Sequence, residues 1–351
     1  MQIRAARTLV FTQHEGGILG CNYLSKSVFG CDTGLISVLS ETSDWTDVEA
    51  LVEGPFQGDS EAVEALIGYS AVVVEGSELA RKEEEYISEW HWNVPTGMMH
   101  FCLEDPDIMS IEESEAAQIE RVAHEPQPPL FMRNPDSLPR VALPSGGKAA
   151  TLLELMARRR TVRAAAAPSI SLSQLADCLY AGMGITGFTA NCVGSLPLGM
   201  TPSGGARNPY EAYVFVRNVD GLEPGIYHYS ALDHDLARVS DATPRLSELI
   251  GGQDWADEMP CMIVLTADLR RTMWKYRDPN AYRVVLIEAG HIGQNVMLAA
   301  TQHGLTACPT AALSQARIRS LLDLKRITDA PVYAMTLAVP GIEQGAGASI
   351  Q

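Results

Sequence analysis

Arg158, Arg159, Arg160, Thr161 and Arg163 place four guanidinium groups and a hydroxyl within six residues. Bidentate charged donors plus a short hydroxyl donor suit a phosphate monoester. A basic cluster on a solvated surface has the same composition, so the run alone leaves both readings open. Further along, Pro202-Ser203-Gly204-Gly205-Ala206-Arg207-Asn208-Pro209 sets paired glycines between prolines. Such a loop is rigid yet unhindered, so its main chain can approach a flat ligand while Arg207 supplies charge. An ordinary surface turn is the plainer alternative. Lys275-Tyr276 sets an amine beside a phenol, two groups able to take up or release a proton. The pair acquires meaning only if neighbouring segments build a pocket around it.

Glu288, His291 and Asn295 fall at i, i+3 and i+7, on one face of a helical stretch, with Gln294 beside them. Glu-x-x-His is half of a di-iron carboxylate site, but the chain offers no second copy for a facing helix. The stripe is therefore a hydrogen-bond network at a subunit contact or part of a cofactor pocket. Gly182-Met183-Gly184-Ile185-Thr186-Gly187 satisfies the dinucleotide pattern G-x-G-x-x-G, yet a helix-like segment precedes it and a β-prone one follows. That order is the reverse of what the fingerprint needs, which excludes a Rossmann site.

The elements that must carry these residues read as helices over 151–160 and 171–181, the latter capped by Ser171 or Ser173, and as a long helix over 282–303. Strands are expected at 212–217, 262–266 and 332–338. Together they make an α+β fold, a three-layer α/β/α domain over 151–351. Upstream, helix-like segments around 48–52 and 61–67 followed by a strand at 70–74 predict a small winged-helix-like α+β domain over 1–122, with a charged helix at 78–89 leading into Trp90-His91-Trp92. Between them, 123–150 is a Pro-rich linker, where Pro126, Pro128, Pro129, Pro135, Pro139 and Pro144 forbid helix or central strand.

Charge divides the 351 residues unevenly. Residues 1–121 hold 23 acidic and 6 basic side chains, leaving 20 of each in the remainder, so the whole net charge of −17 lies in the first third. An acidic unit repels phosphate backbones, which excludes nucleic acid as a partner in spite of the winged-helix-like outline. No apolar run is long enough to cross a bilayer, and the N-terminus shows no secretion signal, so a cytoplasmic location is expected. The seven cysteines are scattered and never spaced C-x-x-C, which fits neither a disulfide framework nor a zinc site. No metal is expected.

Read in order, these segments resemble the nitroreductase superfamily, and in detail its SagB-type dehydrogenases. Arg159 to Arg163 is similar to the family's phosphate motif. The run from Pro202 to Pro209, continued by Gly221-Leu222-Glu223-Pro224-Gly225-Ile226-Tyr227-His228-Tyr229, is similar to the branch's most specific stretch. Glu288 to Asn295 and Gly304 to Pro309 resemble the core helix and the loop beside the flavin ring. The resemblance implies a homodimer binding flavin mononucleotide (FMN), its phosphate on Arg159, Thr161 and Arg163. It rests the ring on Ser203, Gly204 and the Pro309 loop, with Arg160, Pro202, Gly205, Arg207, Gln294, Asn295, Thr310, Ala311 and Ala312 completing the cofactor site. It gives Lys275 and Tyr276 the catalytic role in dehydrogenating thiazoline or oxazoline rings to azoles, in a peptide or carrier-bound intermediate, with a partner enzyme of the same pathway. An NAD(P)H-dependent nitro or quinone reductase and a non-catalytic peptide-binding scaffold are the competing readings.

Overall fold

The computed structural model describes residues 1–105, 110–124, 151–191, 194–276 and 280–341. The expected linker lies outside the described residues except for 123–124, which end a helix. The chain opens with β1 (Gln2–Ala5), β2 (Leu9–His14), β3 (Gly17–Asn22) and β4 (Ser27–Cys31), then α1 (Thr33–Glu41), β5 (Thr46–Asp47), α2 (Val48–Glu53), α3 (Ser60–Gly68) and β6 (Val72–Val74). It continues through α4 (Glu78–Glu89), α5 (Val94–Cys102) and α6 (Ile111–His124). β1 sits between β5 and β6, and β2, β3 and β4 form a separate antiparallel meander. Local chemistry sets the helix starts: Asp59 accepts from the Ala62 amide and Ser77 from the Ala80 amide, each satisfying a donor the first turn leaves free. Arg4 of β1 donates to Glu83 of α4 at 2.7 Å in a fully buried pair, and Glu83 also accepts from the Arg7 amide and the Thr8 hydroxyl.

After the described residues resume come α7 (Thr151–Arg158), β7 (Ile170–Ser171), α8 (Leu172–Met183), β8 (Ile185–Asn191), β9 (Gly194–Gly199), β10 (Tyr210–Val216), β11 (Val219–Asp220), β12 (Gly225–Ser230) and β13 (Asp235–Ser240). β14 (Cys261–Asp268), α9 (Leu269–Lys275), α10 (Asn280–Gln302), β15 (Thr306–Thr310), α11 (Gln315–Leu321) and β16 (Asp329–Ala338) complete the order. The central sheet runs β13-β12-β10-β14-β16-β15, each neighbouring pair antiparallel. Its strands alternate as a sheet covered on both faces requires. Cys261, Ile263, Leu265 and Ala267 of β14 join the core beneath α8 and α10, whereas Met262 and Val264 join Leu246, Leu249 and Ile318 on the other side. The three layers expected from sequence are present.

The larger core does not stop at the central sheet. Tyr86, Trp90, Trp92 and Phe101, from the first 102 residues, are buried in one cluster with Met273 and Tyr282. Trp90 and Trp92 meet edge to face at 5.6 Å, and Trp92 meets Tyr282 likewise at 5.5 Å. His100 bonds the Tyr282 hydroxyl at 2.6 Å through Nδ1. Burial in this aromatic setting pushes the His100 imidazole down to about 3, and the Arg319 and Lys82 charges add to the effect.

Candidate active site

Lys275 is the last residue of α9, and Tyr276 is its C-cap. Asp268 starts that helix by accepting from the Arg270 amide and forms ion pairs with the Arg270 guanidinium at 2.7 Å and with Arg326 at 3.7 Å. These charges hold the Asp268 carboxyl below its ordinary range in spite of the burial that opposes them. The pair at the other end faces the loop between β9 and β10. There Gly205 takes φ +62°, and a Cβ added to it would lie 2.6 Å from the Tyr276 hydroxyl and against the Lys275 side chain. Only glycine lets the loop come this close with that backbone.

The loop is held from beneath by α10. Glu288, buried in that helix, accepts from the Gly204 amide at 2.5 Å and from the Tyr210 hydroxyl at 3.3 Å. Burial and the Glu288 charge push the Tyr210 phenol well above its usual range, so it stays a donor. Ser203 caps the turn by accepting from the Asn208 amide at 3.0 Å, and Arg207 lies over the Trp274 ring at 5.4 Å. Asn295, one turn and more beyond Glu288, donates to Thr201 at 2.9 Å, and Thr201 donates to the Gly182 carbonyl. The polar stripe on α10 thus positions the loop, His291 being exposed and Gln294 half-buried. Gly182 ends a helix and Gly187 lies in a strand, the inverse of a dinucleotide fold.

Beside the loop opens a cavity of about 510 Å³, walled by Pro202, Ser203 and Arg207, by Trp274 of α9 and by Leu196 and Pro197 of the β8–β9 hairpin. Its polar floor is Glu211, which bonds His228 at 2.8 Å and pairs with Arg271. Burial raises the Glu211 carboxyl, but His228 and Arg271 together outweigh it and leave it below its ordinary range.

The arginine run lies at the β15 edge of the central sheet. Arg159, Arg160, Thr161 and Arg163 follow α7 as an extended segment along β15. The Val162 amide donates to Thr306 at 3.0 Å, and the Cys308 thiol donates to the Val162 carbonyl at 2.9 Å. Arg159 donates to Thr161 at 3.3 Å, and Arg163 stacks over Trp255 at 5.7 Å. Pro309 and Thr310 lie in β15, while Ala311 and Ala312 turn away from it, the Ala312 amide bonding the Thr310 hydroxyl. β14 and β16 separate β15 from β10, roughly 14 Å at about 4.8 Å per strand. The structure therefore brings together Lys275, Tyr276 and the loop 202–207, and separately Arg159–Arg163 with Pro309–Ala312. Glu288 as the anchor of Gly204, and the Glu211, His228 and Arg271 cluster, were not expected as site residues. The first belongs to the polar stripe read from the sequence as a hydrogen-bond network or part of a cofactor pocket, but its partner Gly204 was not foreseen.

The profile of the nitroreductase family matches residues 156–339. The Methanocaldococcus jannaschii protein MJ1384, a nitroreductase by name, is 32% identical over 179 residues, which cover 50% of this chain and 85% of that protein. A trifolitoxin-processing protein, TfxB of Rhizobium leguminosarum bv. trifolii, is 32% identical over 39% of this chain and 38% of its own length. The microcin B17-processing protein McbC of Escherichia coli is 29% identical over 37% of this chain and 50% of its own. The match thus spans half or less of the two processing proteins. Among the described residues no helix is long and apolar enough to cross a membrane, and no group of metal-ligating side chains is present.

Proposed function

From the premise that this chain belongs to the nitroreductase family, its likeness to two toxin-processing proteins bearing out the SagB-type branch, we propose that it is an FMN-dependent azoline dehydrogenase. Its substrate is a thiazoline or oxazoline in a peptide or carrier-bound intermediate. The observation that carries this reading is the packing of Lys275 and Tyr276 on the Gly204-Gly205 backbone, with Glu288 fixing that backbone from below.

FMN fits the residues present. Arg159, Arg160, Thr161 and Arg163 supply the donors a phosphate needs, and the Gly204-Gly205 backbone, with no side chain of its own, lies against the proton-transferring pair. Pro202, Ser203, Arg207, Asn295, Gln294 and the segment 309–312 flank these two groups. A homodimer, in which a second copy brings its loop toward the first copy's arginines, is the assembly this reading requires. Bound FMN supplies the two-electron acceptor for the hydride lost from the ring Cβ. Lys275 or Tyr276 takes the Cα proton, leaving the aromatic azole, and the loop and Trp274 hold the ring against them. The cavity floored by Glu211 receives the chain that flanks the ring. The acidic residues of 1–122 favour a basic partner or peptide, in the location expected from sequence, the cytoplasm.

A visible spectrum of the purified protein should show bound flavin. A synthetic peptide carrying one thiazoline should then be oxidised in air without NAD(P)H, and Lys275→Ala or Tyr276→Phe should lower turnover by about a hundredfold or more while leaving the spectrum intact. Anaerobic bleaching by NADPH, with nitro- or quinone-compound turnover untouched by both substitutions, would instead favour the reductase that the MJ1384 likeness supports. A colourless preparation would favour a scaffold.

A further inference from the structure

α9 presents Lys275 and Tyr276, but it is only seven residues long, and a short helix holds its last turn poorly without partners for its free carbonyls. Its end is gripped from the N-terminal half of the chain. The Trp92 indole N–H donates to the Tyr276 carbonyl at 3.2 Å, and the His91 amide points at the Met273 sulfur at 3.4 Å. Trp92 is buried and also packs edge-on against Tyr282, in the first turn of α10. One side chain thus touches the end of one helix, at the pair itself, and the start of the next. Its neighbour Trp90 is equally buried in the same cluster, but among the described residues its indole N–H has no partner.

We infer that Trp92 is a positioning residue for Lys275 and Tyr276, so that the acidic N-terminal half completes the active site of the C-terminal half. The inference rests on the catalytic role proposed above for the pair. It follows from geometry: the Tyr276 hydroxyl and the Lys275 amine can face Gly205 only if the Tyr276 backbone is fixed, and Trp92 is the donor that fixes its carbonyl.

Trp92→Phe keeps a ring against Tyr282 and removes the donor, whereas Trp90→Phe makes the same loss of ring volume and removes an N–H that has no partner among the described residues. Two readouts need no substrate. Hydrogen exchange of the amides in 270–276, and acetylation of Lys275 followed by mass spectrometry with Lys26 and Lys325 as internal references, should each accelerate about tenfold in Trp92→Phe. In Trp90→Phe they should change less than twofold. With the thiazoline peptide, Trp92→Phe should lower kcat about tenfold and leave KM within twofold, with flavin absorbance unchanged. If the two tryptophan variants behave alike in exchange and labelling, or if Trp92→Phe keeps full kcat while Lys275→Ala abolishes it, the positioning role is overturned and the proposed reaction stands. If Lys275→Ala and Tyr276→Phe both turn over normally, the reaction itself is wrong and the inference goes with it.

Discussion

Gly205 carries two demands in one residue, a left-handed backbone and an absent side chain where Tyr276 and Lys275 approach. Gly205→Ala should therefore cost stability by only about 1 kcal/mol, the usual cost of that backbone for alanine, yet displace the pair and lower turnover by an order of magnitude or more. Denaturant titration alongside steady-state kinetics separates the two effects. Glu288 makes the complementary case, because its two acceptor atoms serve a main-chain amide and a buried phenol. Glu288→Ala strands the Gly204 amide, while the Tyr210 hydroxyl keeps the Val285 carbonyl at 2.6 Å, and should destabilise by about 1–3 kcal/mol, whereas Glu288→Gln keeps an acceptor for the amide and should lose less than half of that. A urea midpoint series measures it. Little of this contact could be read locally, since Glu288 and Gly204 are 84 residues apart. The glycine pair and the acid were each visible in the sequence, but what joins them is tertiary.

At the level of elements, legibility followed the strength of the local signal. The helix expected at 171–181 is α8, and Ser171 does cap it, in a reciprocal box with Gln174. The strands expected at 262–266 and 332–338 lie within β14 and β16, and the one expected at 212–217 overlaps β10, which ends one residue earlier at Val216; their continuous apolar runs mark strands covered on both faces. The helix at 78–89 matches α4. The β8–β9 hairpin and the β2–β3–β4 meander were not assigned as elements, because their glycines, threonines and exposed positions break the alternation that marks a strand. The helix foreseen over 151–160 stops at Arg158, since the next residues bond to β15 and take up an extended course. Helix contact also sets a prediction. A Cβ on Gly182 of α8 would lie 2.8 Å from Val296 and 3.1 Å from Ile292 of α10. Gly182→Val should force the two helices apart, destabilising by about 2–3 kcal/mol, and should loosen the Thr201 bond to the Gly182 carbonyl that leads into the loop. Calorimetry gives the first effect and flavin affinity the second.

For the whole molecule, acid sensitivity concentrates where the two halves meet. The His100 imidazole is pushed down to about 3 in the folded chain, against about 6.5 when unfolded. The unfolded state therefore binds more protons between these values. Stability from this group is fully present above about 6.5 and is lost as the pH falls toward about 3. Glu104, whose Oε1 lies 3.7 Å from His100 Nε2, is shifted upward by burial and contributes with the opposite sign as the pH rises. His100→Phe combined with Tyr282→Phe removes both ends of the buried bond at once. The double variant should show a flatter dependence of the unfolding midpoint on pH between 6.5 and 4 than the parent protein. The charge asymmetry read from sequence pointed to two units, but composition carries no sign of whether two units share a core. That sharing is decided by where Tyr86, Trp90 and Phe101 settle.

Those rings make the first hundred residues a lid that cannot be lifted. With them removed, Met273 and Tyr282 would face water, and an oily hollow would open under the helix bearing the amine and phenol. A truncated chain starting at residue 151 should therefore clump or bind a hydrophobic dye such as ANS rather than survive as a smaller catalyst, and the intact protein should melt as one body, at a single midpoint whichever half is watched.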